Sequence, residues 1–116
     1  MSAVSEFQLR QIERWCDTRV PERVRDQVRV ECRRRGRSVT VVERRPLGSL
    51  ASSSADEQEW AEQRIAQLRL DDTDRWTLYW GDSKDRWHRV AEVAAAETPV
   101  PLLDEIDRDR HAYFWG

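Results

Sequence analysis

The chain has 116 residues and a formal net charge of −2, with 36% charged and 39% hydrophobic residues. That length fits one ordinary domain, which can bury most of its unfolded surface without disulfides or a metal. No apolar run approaches the ~18 residues of a membrane span, and the start MSAVSEF carries no basic stretch leading into an apolar one, so a membrane protein, a secreted precursor and a uniformly basic nucleic-acid coat are set aside.

Ser5 to Arg19 reads as a helix. Ser5 and Gln8 have capping-box spacing, and Leu9, Ile12, Cys16 and Val20 form one apolar stripe with Trp15 beside it. Pro21 ends the pattern. From Gln27 to Arg33 the residues alternate, with Val28, Val30 and Cys32 on one face. Val39 and Val41 resume the alternation after the basic turn Arg34-Arg35-Gly36-Arg37, which predicts a β-hairpin ended by Pro46. Residues 47–58 are Ser- and Ala-rich without a period and read as a flexible loop.

The latter half of Trp60–Leu70 reads as a strand with Ala66, Leu68 and Leu70 on one face and Ile65 opposite. Asp71 to Asp74 and Gly81 to Asp85 read as polar turns. Between them Trp76, Leu78 and Trp80 alternate with Thr77 and Tyr79. Arg86 to Val90 follows as a fifth strand, with Trp87 and Arg89 alternating against His88 and Val90. Pro99 and Pro101 predict an extended entry into a short helix carrying Leu102, Leu103 and Ile106. The aromatic tail HAYFWG is expected to dock on the body. No internal repeat or heptad stands out. The fold class is therefore α+β: one domain over 1–116, an antiparallel sheet of about five strands (a hairpin plus a three-stranded meander) packed with an N-terminal and a C-terminal helix.

Little in the chain carries catalytic chemistry. The four glycines form no phosphate-binding loop, and there is no nucleophile elbow. Cys16, Cys32, His88 and His111 have no metal-ligand spacing, so no metal and no cofactor is expected. Two cysteines are too few for a disulfide scaffold. Both fall on apolar faces, which predicts buried free thiols in a cytoplasmic protein.

His88 is the one acid–base candidate. Placed on the face of Tyr79, with Arg89 adjacent and Glu43 in reach, it would make a small ribonuclease-like centre, since His titrates near neutrality and Arg stabilises a developing phosphorane charge. A half-exposed, hydrogen-bonded His is the plainer reading.

Of the 20 basic residues all but Lys84 are arginine. Spread along the whole chain, they are consistent with simple codon usage. Their charge is nonetheless segregated. Arg19 to Arg45 holds ten arginines against four acids, a local balance of +6, whereas Asp56 to Asp74 holds seven acids and two arginines, a balance of −5. Two readings follow: the segments neutralise each other in one monomer, or the hairpin meets a partner. The candidate binding residues are Arg33, Arg34, Arg35, Arg37, Arg44 and Arg45, with Trp87 and His88. Function is read first as a non-enzymatic binding or assembly module engaging a protein partner or a second copy, and second as nucleic-acid binding through the same hairpin. The aromatic set Trp76, Trp80, Trp87, Tyr113, Phe114 and Trp115 is expected mainly in the core.

Taken together, Arg19-Val20-Pro21, Asp26-Gln27-Val28-Arg29, Val42-Glu43-Arg44-Arg45-Pro46, Trp76-Thr77-Leu78-Tyr79-Trp80 with Trp87-His88, and Phe114-Trp115-Gly116 resemble a small bacterial domain, domain of unknown function 3024. The resemblance covers nearly the whole chain outside the Ser/Ala loop. It implies a stand-alone bacterial protein of this size and brings no activity, substrate or catalytic residue.

Overall fold

The Ser5 hydroxyl accepts the Gln8 amide at 3.1 Å and starts helix α1, Glu6–Asp17. The Gln8 side chain does not close a capping box. It spans to the body, donating to the Glu97 carbonyl at 3.0 Å and accepting the Trp76 indole N–H at 2.9 Å. Ile12, Trp15, Cys16 and Val20 are buried, as the helical spacing predicts. The computed structural model describes residues 3–24, 26–46 and 60–115, so the expected Ser/Ala loop lies outside the described residues.

Five strands follow: β1 Arg29–Arg35, β2 Ser38–Pro46, β3 Trp60–Leu70, β4 Trp76–Gly81 and β5 Trp87–Arg89. They pair antiparallel in chain order, so the expected hairpin and meander are one continuous sheet. Gly36, at φ +60°, supplies the left-handed position of the β1–β2 turn. Strand β3 occupies its whole segment rather than the latter half. Between Val41 and Val42 the pairing jumps from Ala66 to Arg64, and the skipped Ile65 joins the core instead of facing away. A β-bulge of this kind shifts one residue out of the strict alternation that a sequence reading assumes.

The β3–β4 and β4–β5 turns share one structure, a similarity that the sequence reading does not register. In Asp71-Asp72-Thr73-Asp74-Arg75 the Asp71 carboxylate accepts the amides of Thr73 and Arg75 at 2.8 and 3.0 Å. In Asp82-Ser83-Lys84-Asp85-Arg86 the Asp82 carboxylate accepts those of Lys84 and Arg86 at 2.8 and 3.0 Å. Asp74 and Asp85 take the left-handed conformation, φ 59° and 61°, which Asp tolerates better than most residues. Each turn is followed by Trp, paired to the residue before the turn: Trp76 to Leu70, Trp87 to Gly81.

Helix α2, Val100–Arg108, begins at Pro99, which is itself in the right-handed helical region. Pro101 occupies the first turn, where a missing N–H costs nothing. The helix therefore starts inside the expected extended entry. Asp109 ends it at φ 46°, and its carboxylate accepts the amides of Phe114 and Trp115 at 3.0 and 2.9 Å. That clamp docks the tail: Phe114 is buried, and Tyr113 stacks on Trp80 at 4.8 Å. Trp115 stays 37% exposed while its indole N–H reaches the Ile106 carbonyl.

Both helices lie on one face of the sheet. Ile12, Leu102, Leu103 and Ile106 pack there against Val39, Val41, Ala66, Leu68, Trp76 and Leu78. Asp107 joins the helices, accepting the Trp15 indole N–H at 3.1 Å and pairing with Arg19. The two cysteines are not free thiols. Laying α1 over β1 brings Cys16 and Cys32 to a Cα separation of 6.4 Å, and they form a disulfide across the 16-residue interval. Reduction, or Cys32→Ser, is expected to lower stability by about 3 kcal/mol, the closure entropy of a loop this size. Urea midpoints with and without a thiol reductant measure this, and coincident midpoints would mean that the bond carries no stability.

Candidate binding face

Among the described residues the other face of the sheet carries no helix. Strand register sorts its residues into rows, because paired residues point the same way. One row runs Arg33, Thr40, Gln67, Tyr79, Arg89. A second runs Glu31, Val42, Arg64, and after one strand step Gly81 and Trp87. A third holds Arg29, Arg44 and Glu62, and a fourth Arg35, Ser38, Arg69 and Thr77. Arginine dominates: Arg29, Arg33, Arg35, Arg44, Arg64, Arg69 and Arg89 against Glu31 and Glu62.

Part of this charge is engaged within the molecule. Arg33 binds Glu62 at 2.5 and 3.0 Å and Glu31 at 3.0 Å. Arg44 adds contacts to Glu31 at 3.2 Å and Glu62 at 3.4 Å. The Glu62 carboxyl is held below the usual carboxylate range, chiefly by the Arg33 hydrogen bond. For Glu31 burial pushes upward, but the hydrogen bonds from Arg33 and Arg44 outweigh it and the net direction is down. Arg29 and Arg44 also lie over the Trp60 ring, at 4.4 and 5.6 Å from its centroid, and Arg69 lies over Tyr79 at 3.8 Å. Gln67 donates to Thr40 at 3.0 Å and accepts from Arg69 at 2.6 Å.

Arg35, Arg64 and Arg89 are different. All three are exposed and close no salt bridge among the described residues, although Arg64 is near enough to Glu62 to help lower its carboxyl. Arg35 and Arg64 line a groove of about 400 Å³ with Ser38, Thr40, Gln67 and Trp87; Arg33 and Glu62, bonded to each other, also line it. Arg64 and Trp87 also line a neighbouring groove of about 500 Å³ that reaches Asp82 and Asp85. The Trp87 ring separates the two. It rests on Gly81, where a Cβ would stand 3.4 Å from the indole. The missing side chain is thus what lets the ring lie close to the sheet.

The other candidates named from the sequence scatter. Arg37 lies at the hairpin turn and donates to the Leu70 and Asp71 carbonyls and to Asp74 at 3.1 Å, so it fastens β2 to the β3–β4 turn. This is the expected neutralisation of the basic segment by the acidic one, which also occurs where Arg33 and Arg44 meet Glu62. Arg34 bonds the Gly36 carbonyl at 3.3 Å. Arg45 pairs with Glu43 at 2.7 Å, and both line a rim with Val28, Val30 and Trp115. Glu43 is thus remote from His88, which lies at the opposite edge of the sheet.

The expected His88–Tyr79 pairing is not formed. His88 pairs with Trp80, while Tyr79 pairs with Arg89, so the two rings point to opposite faces. The five-residue turn from Asp82 to Arg86 decides this, since a one-residue change in register reverses every side chain of a strand. The His88 ring stacks on Trp80 at 4.7 Å and its Nε2 meets the Asp82 carboxylate at 2.7 Å. That bond, with the Arg86 and Lys84 amides, holds the Asp82 carboxyl well below its ordinary range. The same parity moves Trp87 out of the expected core set and onto the open face. Gly81, Arg64 and Arg69 complete the face and were not among the sequence candidates. The Arg–Gln–Arg alternation of 64, 67 and 69 was the available signal, obscured by the bulge at Ile65.

A meander with both helices on one side and an arginine-rich, aromatic sheet face on the other defines a small α+β protein with one uncovered face. The chain belongs to the family described as a domain of unknown function, DUF3024, whose model matches residues 2–116. No curated protein matches the chain. No solved structure matches it. Among the described residues no group of acidic, His or Cys side chains is arranged to hold a metal, and no helix is long and apolar enough to cross a membrane.

The lowered carboxylates set a pH dependence. Glu31 and Glu62 are depressed in the folded state relative to an ordinary value of 4.5. Their contribution to stability is therefore complete above that value and disappears as the pH falls through the lowered folded ones. Urea midpoints measured from pH 6 to pH 3 should decline, with a shallower decline for Glu62→Gln. Superimposable profiles would remove this carboxylate from the account.

Proposed function

We propose that the protein is a non-enzymatic binding module whose contact surface is the open face of the sheet, and that its ligand presents a dense negative charge. One observation carries this reading: Arg35 and Arg64 line one groove with Trp87, and Arg89 stands two residues along the same strand from Trp87 on the same face, all three exposed and without a salt bridge among the described residues. On that face Arg33 and Arg44 are engaged by Glu31 and Glu62, and off it Arg19, Arg37 and Arg45 reach acidic side chains. The whole chain is mildly acidic, so attraction of an anion depends on this local arrangement and is screened within about 10 Å at 0.1 M salt.

The face also explains which part of the Arg-rich hairpin takes part. Strand β1 contributes Arg35, whereas the turn residue Arg37 is a structural clamp and Arg45 belongs to the helix side. The constellation an acid–base reading of His88 calls for is not assembled: Tyr79 and Arg89 lie on the opposite face of the sheet and Glu43 is remote, while Nε2 of His88 meets Asp82. We place the protein in the cytoplasm. The Cys16–Cys32 pair lies on the helix face, so the binding face is the same whether that pair is oxidised or reduced.

Retention on immobilised heparin tests the reading. The wild-type chain is expected to be held at about 50 mM salt and released as salt rises, as counterion release requires. Arg64→Glu together with Arg89→Glu should abolish retention. Arg10→Glu, on the exposed side of α1, should leave it unchanged. Flow-through of the wild-type protein at low salt, or equal loss in the Arg10→Glu control, would refute the assignment.

A further inference from the structure

We propose that the open face binds single-stranded nucleic acid, with a base stacked on Trp87 and phosphates on Arg35, Arg64 and Arg89. This deepens the reading of that face as an anion-binding surface and rests on it.

Three features select this ligand among polyanions. The first is the ring. Trp87 lies against Gly81 on the sheet, half-buried, and lines the grooves on both of its sides. A flat indole on a solvent-facing sheet, flanked by guanidinium groups, pairs an apolar face with positive charge, which matches a base joined to a phosphate. It is the platform on which an unpaired base stacks, whatever the base.

The second is spacing. Trp87 sits on β5, Arg89 two residues along the same strand, Arg64 on β3 and Arg35 on the far edge strand β1. At ~4.8 Å per strand, five strands place charges across about 19 Å of sheet. A flexible strand can lay successive phosphates over that width. The duplex major groove, at ~12 Å, is too narrow to admit such a sheet, so duplex contacts would be confined to the phosphate rim.

The third is polarity between the charges. Ser38, Thr40 and Gln67 line the groove between Arg35 and Arg64. They offer hydrogen-bonding groups to base edges or sugar hydroxyls that a purely electrostatic anion site does not need. The proposal is of binding alone.

The test is fluorescence anisotropy with a labelled ten-nucleotide oligouridylate, its hybrid duplex, and an oligoglutamate competitor, run beside the heparin column. Binding of the single strand with at least about a fivefold preference over the duplex is expected. Trp87→Ala should weaken single-strand binding on the order of five- to a hundredfold, the range for losing one stacked base, whereas Arg10→Glu should leave it unchanged. Trp87→Phe should keep most of the affinity, which separates loss of stacking from loss of folding. Arg64→Gln with Arg89→Gln should weaken both ligands and reduce the salt slope by about one per lost phosphate contact.

Heparin retention without oligonucleotide binding at about 100 μM would overturn the nucleic-acid proposal and leave the anion-binding reading standing. Loss of both would overturn both. Equal affinity for strand and duplex with no effect of Trp87→Ala would also overturn it, as would oligoglutamate competing as well as the oligonucleotide does.

Discussion

In a β-strand, alternate residues face opposite ways, so the length of each turn decides which side of the sheet the next strand presents. The last two strands of this protein depend on that constraint. Two five-residue Asp turns of the same hydrogen-bonded form begin eleven residues apart, at Asp71 and Asp82. Eleven is odd. The Trp after the first turn therefore enters the core beside the helices, and the Trp after the second comes out on the open face. Had the interval been even, Trp87 would lie with Trp76, and His88 with Tyr79. The Asp carboxylates that fix these turns are as important to the composition of the open face as the residues on it.

The sheet is finished very differently on its two sides. On one, α1 and α2 exclude water from Val39, Val41, Leu68, Trp76 and Leu78, and the Asp109 clamp adds the tail. On the other, the face is covered by its own side chains. Arginine stems and guanidinium planes lie over Trp60 and Tyr79, and a Glu31–Glu62–Arg33–Arg44 network spans β1 to β3. Arginine suits this role because its stem covers apolar surface while its head stays hydrated. A face of this kind presents charged heads to solvent, and where the carboxylates stop Arg35 and Arg89 stand without a salt bridge among the described residues.

The near-zero net charge conceals this division. The basic hairpin and the following acidic segment do meet, at Arg33 with Glu62 and at Arg37 with Asp74. Neutralisation is nevertheless local and incomplete. Strand β3 comes from the acidic segment, yet it supplies Arg64 and Arg69 to the basic face because its alternation directs them there. Counting charge along the chain assigned those arginines to the wrong territory. Charge in a sheet is organised by register, across strands, and only secondarily by position in sequence.

Much of the fold was legible in the residues themselves. The helix stripe through Leu9, Ile12 and Cys16, the Val alternation about Gly36, the turns at Asp71 and Gly81 and the apolar trio Leu102, Leu103 and Ile106 all record local periodicity, which is a property of neighbouring residues. So the sequence determined an α+β chain with five antiparallel strands and two amphipathic helices. The tertiary structure alone decided which residues share a face. Bringing Cys16 to Cys32, bulging β3 at Ile65, turning His88 towards Trp80 and gathering Arg35, Arg64, Arg89 and Trp87 on one surface all require the register between strands. That register is set by turn hydrogen bonds and by burial across the whole sheet, which no local pattern encodes.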